Sequence, residues 1–157
     1  MAVGIGAGLF ASHVMNQFQK GWAASSKGGK DSDKKDEPST VKLADRVCLA
    51  LSGRPIPHSV RPLAGEAVHF GLGAVLGAAY AGAAHFRPAV TAGAGTAYSS
   101  TVWLGLDEGL LPALGLGAKW ADVPASRHFY GLISHLFFGL SLDGANRLGR
   151  RALAGGG

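Results

Sequence analysis

Charge is scarce in this chain. Only 16% of its 157 residues are Asp, Glu, Lys or Arg, against roughly 25% in an ordinary soluble domain. With so much apolar residue beside it, this excludes both disorder and a soluble coiled coil. Acids are the scarcer sign, ten against fifteen Lys and Arg, and nine of those fifteen lie between Lys20 and Arg61. The formal +5 therefore belongs to one segment, and no nucleic-acid partner is expected. The single cysteine, Cys48, lies on an apolar helical stripe and reads as structural rather than reactive. Six His and ten acids leave little catalytic vocabulary, so a non-enzymatic role is expected. What is abundant is apolar: 47% hydrophobic residues and 25 glycines.

The missing charges define long stretches. Met1 to Gln19, Ala67 to Phe86, Ala89 to Leu106 and His128 to Leu142 carry none, and a membrane-crossing helix needs about 20 largely apolar residues because backbone polar groups must pair internally in lipid. Apolar helices of a soluble bundle normally show a charged outer face, and these do not. The fold expected is an all-α integral membrane bundle of four Gly-rich transmembrane helices plus an interfacial amphipathic helix, in one membrane domain over 1–157. Its parts are a first span at 1–20, a flexible polar linker at 21–40, and an interfacial helix and Pro-rich turn at 41–62. Spans at 63–86 and 88–106 follow, then an amphipathic or re-entrant connection at 107–127, a fourth span at 128–146 and a basic, Gly-rich tail at 147–157. Positive charge follows the first span instead of preceding it, the arrangement of a retained anchor rather than a cleaved signal. Counting Lys and Arg favours the long connections facing the cytoplasm, although Arg147, Arg150 and Arg151 oppose that orientation.

Membrane helices associate by close backbone approach, and small residues four apart are the usual device. Gly73, Gly77 and Ala81 form one such row, Gly4 and Gly8 another, and Gly131 and Gly139 a third, with His135 between them. Self-association or assembly into a larger membrane complex is the expected use. His69 and His135 each precede a row glycine by four positions, which turns their imidazoles toward neighbouring helices. At about 1.5 Å per residue, His13 lies roughly 10 Å in from Lys20, His69 roughly 9 Å in from Leu63 and His135 roughly 12 Å in from Arg127. Asn16, Glu66, Asp107, Glu108 and His128 cluster nearer the same surface, as do Trp22, Trp103 and Trp120, which suit an aromatic belt at one interface.

An intramembrane polar cluster is a functional candidate by default, here His13, Asn16, Glu66, His69 and His135. Its plainest use is interhelical hydrogen bonding. The Glu66-x-x-His69 pair has the spacing of carboxylate-bridged di-iron bundles, but those need a second such pair, which the chain lacks. Glu66, His69 and His135 are thus weak candidates for a transition metal, and His69 with His135 could hold a haem between two helices. The Gly-rich runs have no preceding strand, which rejects a nucleotide fingerprint, and no serine sits in a nucleophile elbow. No charged pore-lining series suggests a channel or ion pump; a small transporter would need a water-filled path through the polar cluster.

Four segments together, GLFASHVMNQFQ (8–19), AGEAVHFGLGAVLGAAY (64–80), GTAYSSTVWLGLDEGLLPALGLG (95–117) and SHLFFGLSLDGANRLGRR (134–151), resemble the YagU-like family of small bacterial inner-membrane proteins. The resemblance implies a multi-pass protein of the inner membrane. It implies no substrate, cofactor or catalytic residue.

Overall fold

The computed structural model describes residues 1–25 and 37–155, and the greater part of the linker expected at 21–40 lies outside them. All regular secondary structure among the described residues is helical. Helix α1 (Ala2–Ser25) contains no proline and runs on past Lys20 through the start of the expected linker. Helix α2 (Ser39–Ser52) follows Pro38 and stops at Gly53, whose φ of 69° is the left-handed conformation that ends helices and whose N–H reaches the Leu49 carbonyl. A 3₁₀ turn (His58–Val60) leads into α3 (Arg61–Phe86), which opens with Pro62 in its first turn, where a missing N–H costs nothing. Pro88 then ends it by forcing Arg87 out of helical geometry.

The stretch at 88–106 is not one helix. It breaks into a 3₁₀ turn (Pro88–Thr91), a bend in which Gly93, Ala94 and Gly95 all have positive φ, and a short α4 (Thr96–Val102). From Trp103 to Leu110 the chain continues as a π-helix and then as α5 (Leu111–Ala113), so the rod carries on well beyond the expected boundary. Helix α6 (Ala125–Gly155) likewise runs on through most of the expected tail.

Only the helical segment His58–Phe86, with a mean hydropathy of 1.4, is long and apolar enough among the described residues to cross a membrane. Helices α1 and α6 have 24 and 31 residues, but His, Asn, Gln, Ser and Gly dilute them. Freedom from charge is a weaker property than hydropathy, and that is why the four-span expectation reduces to one candidate span. In that span 17% of the apolar window is buried inside the molecule, whereas the core helix of a soluble protein would be mostly covered.

The rods alternate in direction. Helix α1 lies antiparallel between α3 and α6: Gly4 meets Gly77 and Ala81, Gly8 meets Gly73, and Val3 reaches Gly149 near the end of α6. A Cβ at Gly8 or Gly77 would collide with backbone of the opposite helix, so the two glycine rows let α1 and α3 touch main chain to main chain. Gly139 does the same for α6 against Gly95 and Ser99 of the α4 rod. Between these contacts sit Ala7, Ala11, Met15, Tyr80, Phe138 and Leu142, the buried core. Helix α2 packs on α3 through Val41 and Ala44; farther along its apolar stripe Cys48 is half-buried while Val47 and Leu51 are exposed.

Candidate functional site

At the end where α3 begins, the α3 and α4 rods flank a cleft of about 680 Å³. Where they come together, the Tyr98 hydroxyl donates to the Leu76 carbonyl at 2.8 Å. Outside the cleft α3 packs on α1 and α2 while the α4 rod packs on α6. Ser12, Met15, Asn16 and Gln19 of α1, residues 37–42 at the start of α2, parts of the connection after α5, and residues of α6 from Arg127 to Phe138 contribute further wall. Arg46 of α2 donates to the Leu114 carbonyl at 2.6 Å, tying α2 to the connection after α5.

Four of the five residues expected to cluster line this cleft: Asn16, Glu66, His69 and His135. His13 does not. It is exposed on another side of α1, where its Nε2 lies 3.3 Å from Gln17, so the three histidines at one depth do not converge. The Asn16 amide donates to Glu66 at 3.0 Å, and His69 Nε2 donates weakly to the Ser12 carbonyl at 3.5 Å.

His135 is 8% exposed and its Nδ1–H is held by the Gly131 carbonyl at 3.0 Å. A carbonyl only accepts, so Nε2 is left as the free ring position, facing Asp107 Oδ2 at 3.7 Å. That separation is too long for a direct hydrogen bond. Gly131 also admits the Trp103 indole, whose N–H lies where a side chain at 131 would have to go. Asp107 and Trp103 complete the wall, and their place could not be read from spacing alone. The π register turns the adjacent acids Asp107 and Glu108 toward two histidines of α6 that stand seven residues apart.

The second of these pairs is tighter. His128 Nδ1 donates to Glu108 at 2.8 Å and Nε2 donates to the Trp120 carbonyl at 3.3 Å, with the Trp120 ring stacked 4.1 Å away. Both partners are acceptors, an arrangement that favours the doubly protonated ring. The Glu108 hydrogen bond is the main cause that raises the His128 pKa above its ordinary value. His128 sits in the first turn of α6, outside the candidate span.

A second polar site lies at the far end of the bundle. Tyr80, fully buried, donates to Asp143 at 2.7 Å, and Arg147 Nε donates to the other Asp143 oxygen at 2.7 Å. Among the described residues no three His, Cys, Asp or Glu side chains converge as a metal site.

Residues 56–144 match the family described as "Protein of unknown function (DUF1440)". The chain belongs to the DUF1440 family. No curated protein and no solved structure matches it. The DUF1440 segment takes in α3, the α4 rod and α6 as far as Gly144. It therefore holds Glu66, His69, Asp107 and His135 of the cleft together with Tyr80 and Asp143 of the far site, while Ser12 and Asn16 on α1 lie outside it.

Proposed function

We propose that this chain is a small, non-enzymatic, multi-pass protein of the bacterial inner membrane, YagU-like in layout, acting as an accessory subunit around a polar binding cleft. One observation carries the reading: large apolar side chains face outward while polar side chains gather on an internal cleft. Ile5, Leu9 and Phe10 of α1, Val75 of α3, and Phe137, Leu140 and Leu148 of α6 are all exposed, and a soluble monomer rarely leaves so much apolar surface uncovered. In this reading α1, α3, the α4 rod and the middle of α6 cross the bilayer. The expected self-association shifts to other surfaces, because the glycine rows are already used within the chain.

The test is extraction. Membranes containing the full chain, washed with alkaline carbonate and then detergent, should release it only with detergent; release by carbonate overturns the membrane reading. Single cysteines placed at the two ends of α1, α3 and α6 in a Cys48→Ser background should then label alternately from opposite sides.

His135 favours one second reading, a haem or metal subunit. Ligating histidines almost always donate their other ring N–H to a carbonyl or carboxylate, as His135 does to Gly131. A visible absorption band that disappears in His135→Ala would establish it, and colourless, metal-free protein would end it.

A further inference from the structure

We propose that the cleft binds the head of a primary ammonium compound, held between His135 Nε2 and the Asp107 carboxylate. This rests on the membrane-embedded cleft described above and names its ligand class.

The free ring nitrogen of a nine-tenths buried histidine and a carboxylate oxygen face each other at 3.7 Å, too far for one to bond the other. With Nδ1–H committed to Gly131, Nε2 and the facing Asp107 oxygen are two acceptor positions with no hydrogen bond between them. A group that carries several N–H donors and a positive charge satisfies both at once, and charge-assisted bonds of this kind are the strong ones. Glu66, elsewhere on the same wall, has the neutral Asn16 amide as its hydrogen-bond partner among the described residues.

The other acids on the wall are occupied, Glu37 by Arg61 at 2.7 Å and Glu108 by His128 at 2.8 Å. His69 is turned to the Ser12 carbonyl. Lys42 and Arg127 also line the cleft, each in the opening turn of its helix, and they set the competing expectation of an anionic ligand. The volume, about 680 Å³, exceeds what a bare cation fills and lies in the range of small-molecule sites. Leu72, Leu76, Leu106 and Phe138 on the wall suit a hydrocarbon body behind the ammonium.

The full chain in a nonionic detergent should be titrated calorimetrically with n-hexylammonium chloride, n-hexyltrimethylammonium chloride and sodium hexanoate. Saturable binding of hexylammonium is expected. Binding should be at least tenfold weaker for the trimethyl compound, which has no N–H, and at least tenfold weaker in Asp107→Asn and His135→Phe. Equal or tighter binding of hexanoate, unchanged affinity in both variants, or no saturable hexylammonium binding overturns the inference. If neither variant folds, the three-ligand series on the unmodified chain decides. Carbonate extraction reports on the membrane reading separately, so a membrane-embedded protein that ignores hexylammonium sinks only this inference.

Discussion

The two polar sites of this bundle solve the same problem in opposite ways. At the Tyr80–Asp143–Arg147 site both carboxylate oxygens have partners at 2.7 Å and Asp143 is 3% exposed. About three to four turns of α3 and two of α6 away, Glu66 has an amide, His69 a long contact to a carbonyl and His135 an unfilled ring position facing a cleft. A buried carboxylate whose bonds are complete fixes register; one left open to a cavity is available to something else. The comparison separates the part of the polar inventory that builds the molecule from the part free to act.

The largest effect should come from the contact on which both sites depend. Gly77→Leu would drive a branched side chain into the Gly4 and Gly8 backbone of α1. Overpacking usually costs about 1–3 kcal/mol, and here the obstacle is main chain that cannot rotate away, so the upper end or complete loss of the fold is expected. The check is the thermal melt by circular dichroism in detergent, read beside the monomer–oligomer distribution. A folded monomer obtained from a wild-type oligomer would mean that the row serves self-association instead. Next in size is the contrast between sites. Asp143→Asn breaks an ion pair and should cost about 2–3 kcal/mol, less than the roughly 3–5 kcal/mol of a fully buried pair, because Arg147 is 55% exposed. Glu66→Gln, at the open cleft, should cost under about 1 kcal/mol. Equal losses at the two positions would erase the distinction between them.

Much of this was legible in residue order. The glycine rows at Gly4/Gly8 and Gly73/Gly77 announce close helix contact because helical periodicity is local, and the partners they find are each other. The face shared by His69 and Gly73 follows from the same periodicity. His13 shows the limit: depth along a helix is set by counting, but azimuth relative to a neighbour depends on which helices pack, and α1 turns that residue outward. The α4 rod shows another. Its absence of charge suggests a crossing helix, yet Pro88 and the Gly93–Gly95 bend interrupt the chain. The π register that aims Asp107 and Glu108 is a hydrogen-bond shift of one residue with no compositional signature.

The smallest expected effect sharpens the comparison by way of pH. The Glu108–His128 pair stands at the cleft end but resembles the far site in being complete, both ring nitrogens having acceptors. Its folded pKa is raised above the unfolded value of about 6.5. The folded state therefore holds its proton to higher pH than the unfolded chain does, and stability falls with rising pH wherever the folded form binds the extra proton. The contribution is fully present below about pH 6.5 and is lost as pH rises through the raised folded value. His128→Gln should flatten that slope while leaving the rest of the profile in place, measured as melting temperature against pH in detergent. If His128→Gln leaves the slope unchanged, the titrating group lies elsewhere. Completeness of bonding would then no longer tell the two kinds of site apart.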